Sequence, residues 1–294
     1  MTTQHTLLKP VPKHASFLTF DLRPGSDANE SLSRVAKAFP THNSVLGVGL
    51  PLTLAMGATV QNLRAFPALS GAGVSVPSTQ GALWMMLGGA DASTVFDASM
   101  AVRAAADPGF VLREEVCAFE YRGGRDLTGY EDGTENPKGT KAISTAIIRG
   151  VGKGYDGGSF AATQRYVHDL AAFAKLSQTE RDHVVGRHHK TNKELPRAPE
   201  SAHVKRTAQE SFPDGGFMLR RSMPWGDSQQ HGLVFVAYGA SPDPFERVLR
   251  RMAGLDDGIV DSMLRVSRAV TGGYYFCPPM IGSKLDLSGL RAAK

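Results

Sequence analysis

Apolar positions fall into short runs with strand or helix period, and the order of those runs occurs twice. Residues 16–22 alternate as a half-buried strand does, 29–39 follow helical spacing, and 44–50 form a second strand. An excursion containing Gly, Pro and Ser runs to about residue 80. A strand at 83–87, a helix at 92–105 and a strand at 117–121 complete the order βαββαβ. The second half predicts a strand at 159–163, helices at 164–175 and 178–187, and, after a basic loop, strands at 216–223 and 233–238. A helix at 244–252, another at 258–268 and a strand at 274–277 follow. Ser177 with Glu180 makes a capping box at the start of one helix. The order is again βαββαβ.

Two such halves predict an α+β fold: two tandem ferredoxin-like units with antiparallel sheets, in a dimeric α+β barrel-like arrangement. The division is expected at 1–145 and 146–294, beside the glycine-rich GVGKGYDGG. That run fits neither GxxxxGK[ST] nor GxGxxG between a strand and a helix, so a phosphate loop is excluded.

With 294 residues, 41% of them hydrophobic, the chain has ample material for a core. Its two cysteines, Cys117 and Cys277, lie far apart in apolar runs and read as reduced, buried thiols. The start, MTTQHTLLKPVPKH, lacks the pattern of a secretory signal, and no run reaches the ~18 apolar residues of a membrane span. These features predict a cytoplasmic protein with no membrane partner. The net charge of +5 is densest between Arg187 and Arg206, without the interleaved aromatics that stack on bases. A nucleic-acid partner is therefore not expected, whereas a cofactor carrying carboxylates would use the same charges.

The chemistry concentrates in GYEDGTENP, residues 129–137. By residue type this is a polar turn holding one carboxylate, Asp132, between glycines. The run GxxDG followed by TENP, with LRRSMPWG and TGGYYFCPP later in the same order, resembles the dye-decolorizing peroxidases, most nearly their bacterial intracellular subgroup. The resemblance covers about residues 15–282. It implies haem b as cofactor, hydrogen peroxide as oxidant and organic donors such as dyes and phenolics, oxidised one electron at a time.

Residue by residue, the resemblance makes His203, in ESAHVKRT, the axial iron ligand. It makes Asp261 the carboxylate behind that ligand; by pattern, Asp261 lies well inside the 258–268 helix, where capping does not explain it. Asp132 corresponds to the proton-handling aspartate and Arg220, in FMLRRSMPWG, to the arginine that stabilises developing charge. Strand alternation puts Ser222 on the same face as Arg220 and turns Arg221 away; the family often has asparagine where Ser222 stands. Thr134 and Arg206 are expected to help bind the cofactor, Arg206 through the haem propionates. Trp225, Tyr238, Tyr274 and Tyr275 read first as core and second as an electron relay.

Self-association as a homo-oligomer is implied as well. The tail SKLDLSGLRAAK reads as a flexible end that faintly resembles the address peptides carrying such enzymes into a protein shell. The competing readings are a haem-delivery protein without turnover and a basic nucleic-acid-binding module.

Overall fold

The computed structural model describes residues 2–71, 73–213 and 215–290. In the first half, β1 (His14–Leu22), β2 (Ser44–Gly49), β5 (Leu83–Gly89) and β6 (Phe110–Phe119) form an antiparallel sheet in the order β2-β5-β1-β6. Between β2 and β5 come a short α2 (Leu50–Ala55) and a hairpin of β3 (Leu69–Gly71) and β4 (Val74–Val76). Helix α1 (Ala28–Ala38) starts where the Asp27 carboxylate accepts the Glu30 N–H, and α3 (Ala92–Ala106) where Asp91 accepts that of Thr94. Leu32 and Val35 of α1 and Val102 and Ala106 of α3 pack on Leu18, Phe20, Leu46, Leu83 and Met85, so one face of this sheet is filled by helix side chains.

After α4 (Gly139–Ala146), the second half repeats the topology. Its strands are β7 (Ser159–His168), β8 (Leu219–Arg220), β9 (Met223–Gly226), β10 (His231–Gly239), β11 (Ser267–Ala269) and β12 (Gly273–Cys277). Its helices are α5 (Leu170–Lys175), α6 (Gln178–Val185), α7 (His203–Arg206) and α8 (Asp243–Met252). β12 pairs with β2 through Phe276 and Val48, β6 with β9 through Ala118 and Trp225, and β7 with β10. The two ferredoxin-like sheets thus close into one barrel-like sheet. Phe17, Trp84 and Met86 from the first half meet Val234, Val236 and Tyr275 from the second in a shared interior. No helix among the described residues is long and apolar enough to cross a membrane.

Five local expectations change. Residues 164–168 continue β7 instead of opening a helix, because β10 pairs along β7 as far as Val167. The strand expected at 216–223 breaks into β8 and β9. The helix expected at 258–268 is a turn, a 3-10 helix at Ser262–Arg265 and β11. There Asp257 accepts the Ile259 N–H and Asp261 that of Met263, so side chains take the backbone donors a regular helix would use. Cys117 is exposed on β6 while Cys277 is buried, and both are free thiols. The tail is docked as far as Leu290, which is fully buried against the first unit's core; residues 291–294, where the shell-address reading ends, lie outside the described residues.

Candidate active site

The helices that follow β7 do not cover its sheet. Phe173 of α5 and Val185 of α6 pack instead on Tyr130 of the GYEDGTENP loop. The Tyr130 hydroxyl donates to Asp182 at 2.5 Å and accepts from Gln178 at 3.2 Å. The uncovered face of β7 and β10, with Tyr166, Leu233 and Phe235, becomes the floor of a cavity of about 340 Å³. α8 contributes Phe245, Val248 and Leu249, residues 126–135 close another side, and His203 and Lys205 come from α7. The volume lies within the ~300–1,000 Å³ common for small-molecule and cofactor sites.

His203 forms one wall. Its Nδ1 lies 2.7 Å from Asp261 Oδ2, and Asp261 is fully buried. Asp261 also caps the 3-10 helix through its other oxygen, so capping does account for half of this residue, against expectation. Burial by itself would lower the His203 pKa, but the charge and hydrogen bond of Asp261 hold it above the ordinary value. With Nδ1 engaged, Nε2 is the ring nitrogen without a hydrogen-bond partner among the described residues, and the exposed 38% of the side chain faces the cavity.

Asp132 and Arg220 form another wall. The Asp132 N–H donates to Gly124 O at 3.1 Å, holding the loop's backbone. Gly133 sits at φ +74°, and a Cβ there would lie 2.8 Å from Asn136 Nδ2, so the turn needs glycine twice over. Asp132 is exposed by surface area and lines the cavity. The enclosure raises its pKa, and the positive charge of Arg220 offsets this only in part. Burial likewise lowers the Arg220 pKa against the pull of Asp132 and Glu135. The described residues contain no Asp132–Arg220 ion pair within 4.0 Å. Both side chains therefore stay available to a small molecule placed between them.

Of the residues singled out by sequence, Asp132, Thr134, His203 and Arg220 line the cavity, with Asp261 behind His203. Thr134 accepts from Asn192 Nδ2 at 2.9 Å. Arg206 does not line it: its guanidinium is buried in a double hydrogen bond to Asp257 and a third to the Arg251 carbonyl. Ser222 does not point with Arg220 into it either. The strand breaks between them, Ser222 Oγ accepts the Val236 N–H at 3.4 Å, and Ser222 lines only a smaller neighbouring cavity shared with Asp132 and Arg220. Arg221 does turn away, bonding to the Leu8 and Lys9 carbonyls. Trp225, Tyr238, Tyr274 and Tyr275 are buried in cores.

Sequence reasoning missed three features. His168 Nε2 lies 3.0 Å from Asp126 on the cavity wall, with Nδ1 on Ser267 Oγ at 2.8 Å; partners 42 and 99 residues apart leave no local signal. Arg187, from the basic loop, bonds Glu135 at 2.6 Å and is buried. Asn136 is the third; as a turn former it looked ordinary.

A family model described as Dyp-type peroxidase, C-terminal, matches residues 123–282. A dye-decolorizing peroxidase of Mycolicibacterium paratuberculosis is 29% identical over 293 residues, covering 92% of this chain and 82% of the relative. Among solved structures, DyPB from Rhodococcus jostii is similar with a TM-score of 0.85 at 28% identity, covering 95% of this chain and 97% of that one. A variant of the same protein solved in complex with heme gives a TM-score of 0.85 at 28% identity, covering 93% and 95%. A dye-decolorizing protein from V. cholerae gives 0.83 at 28% identity, covering 93% and 96%.

Proposed function

This chain belongs to the Dyp-type peroxidase family and is a haem peroxidase, and from that premise we infer which of its residues carry the reaction. The cavity fits haem b by the chemistry of its donors. Among the described residues no three metal-ligating side chains cluster, and the one unengaged imidazole nitrogen of the cavity wall, on His203, faces a chamber with an apolar floor, which suits a metal held in a macrocycle rather than by a cluster of side chains. His203 would hold the iron through Nε2, which requires that nitrogen to be free of its proton, with Asp261 accepting the Nδ1 hydrogen and fixing the ring. Bound there, the haem supplies the redox chemistry that takes oxidising equivalents from hydrogen peroxide and delivers them singly to organic donors.

Hydrogen peroxide enters between Asp132 and Arg220. The Asp132 carboxylate takes a proton from one peroxide oxygen and returns it to the other, so that the O–O bond breaks with the second oxygen leaving as water, while the bound haem would supply the two electrons the first oxygen requires. The Arg220 guanidinium stabilises the negative charge that grows on the departing oxygen. α8 and the Tyr130-anchored loop wall the cavity on two sides of these charges. The observation carrying this reading is that Asp132 and Arg220 face one chamber with His203 without neutralising each other in a direct pair.

The working form is a cytoplasmic homo-oligomer. Two free thiols suit a reducing compartment, and three of the six cationic side chains of the basic stretch are paired internally, Arg187 with Glu135, Lys205 with Glu194 and Arg206 with Asp257. Stopped-flow mixing of the haem-loaded protein with one equivalent of peroxide tests the assignment. A rapid spectral change, reversed by a phenolic donor, is expected; an unchanged spectrum over seconds sides with a haem carrier.

A further inference from the structure

β8 runs beside β10, and Arg220 stands opposite Ala237. The ladder bond in this stretch comes from Arg221, whose N–H donates to Val236 O at 2.8 Å. Adjacent residues of a strand direct their backbone groups to opposite sides, so the N–H and C=O of Arg220 point away from β10. Among the described residues no further strand pairs with β8 on that side. The Arg220 carbonyl also accepts from the Arg221 guanidinium at 2.9 Å, but without a further partner the Arg220 N–H would be the loose edge of the sheet at the residue whose side chain reaches the chemistry.

Asn136 closes that edge. Its Oδ1 accepts the Arg220 N–H at 2.8 Å, and its Nδ2 donates to the Arg220 carbonyl at 3.0 Å. One carboxamide thus stands in for a neighbouring strand, matching donor to acceptor and acceptor to donor. Asn136 lies four residues after Asp132, and its N–H donates to Gly133 O at 3.0 Å, which ties the clamp to the turn that carries Asp132. Gly133 is the residue at which an added Cβ would press on this same amide. The chain joins the first unit's loop to the second unit's arginine by a single side chain.

We propose that Asn136 is a positioning residue for peroxide activation: by clamping the backbone of Arg220 to the Asp132 turn, it sets the spacing of the two groups across which peroxide reacts. This rests on the role assigned to Arg220 above. A ~1 Å misplacement of a catalytic group costs up to about 100-fold in rate. An amide that merely tightened the fold would lower the melting temperature without selecting for Arg220.

The test is a double-mutant cycle on the haem-loaded protein: wild type, Asn136→Ala, Arg220→Leu and the double variant. Three quantities are read, namely the rate of reaction with peroxide, fluoride affinity by absorbance, and haem content. Asn136→Ala is expected to slow the peroxide reaction about 10- to 100-fold and to weaken fluoride, an anion that accepts from a guanidinium, with haem content unchanged. In the Arg220→Leu background the same substitution should cost almost nothing further. Equal losses in both backgrounds, or wild-type rate and fluoride affinity in Asn136→Ala, overturn the proposal. Should Asn136→Ala fail to fold, Asn136→Asp keeps the acceptor for the Arg220 N–H and sets an oxygen against its carbonyl; its loss must also vanish with Arg220→Leu. An Arg220→Leu variant as fast as wild type would instead overturn the reading of Arg220, whatever Asn136 does.

Discussion

The two ferredoxin-like units share a topology and differ in what their first helices touch. In the first unit, α1 lays Leu32 and Val35 on the sheet, and the space between layers is filled by side chains. In the second, α5 and α6 give Phe173 and Val185 to Tyr130, a residue of the connecting loop, and the corresponding sheet face is left to the cavity. In the second unit α8 still packs on Ala162, Tyr166 and Ala237, but α5 and α6 are drawn aside, and the loop they pack on carries Asp132 two residues after Tyr130. Opening the pocket and presenting its carboxylate are thus one structural event.

If the second unit's open face is the haem site, His203→Ala should abolish axial ligation. The largest expected effect is loss of the histidine-ligated Soret spectrum from purified protein, and a retained spectrum would move the ligand elsewhere. Next, Arg220→Leu should leave haem bound but slow reaction with peroxide by roughly 10²- to 10³-fold, the usual cost of removing one donor to developing charge. The filled face of the first unit should answer in a different currency. Leu32 is fully buried, so Leu32→Ala is expected to cost about 2–5 kcal/mol of stability. The rate with peroxide should stay at wild type below the melting transition. A matching loss of rate would mean that the two faces are not separable as filled and functional.

The repeated βαββαβ order was legible because amphipathic helices such as α1 have a strong local period and buried strands such as β5 stand out as short apolar runs. Where tertiary contacts decide, the pattern misled. β7 runs on to His168 because β10 lies beside it, and the residues after Gly258 are turned by Asp257 and Asp261. In the site, Asp132, Thr134, His203 and Arg220 could be placed because a motif carries each of them. Arg206 and Ser222 were misplaced for a common reason: composition and alternation state what a side chain can do, but not that Asp257 has already engaged it or that the strand breaks at that point. The Asp126–His168 pair had no local trace at all.

That pair supplies the smallest effect and the finest probe of the open face. Asp126 is ionised in the fold: burial works to raise its pKa, but the hydrogen bond and charge of His168 hold it below the usual carboxylate range. Its negative charge adds to the burial that raises the pKa of Asp132, while Arg220 acts in the opposite sense. Proton transfer from peroxide needs Asp132 as the carboxylate, so activity should fall as pH drops through that raised pKa, above the ordinary value of 3.8. Asp126→Asn removes one negative neighbour, which lowers the Asp132 pKa, so the acid limb of the peroxide rate profile should move to lower pH. Arg220→Leu removes the positive neighbour and should move the limb the other way, on a much slower rate. Limbs displaced in the same direction, or not at all, would mean that the titrating group is not Asp132, and that the carboxylate on the open face is a bystander to the proton it is placed to carry.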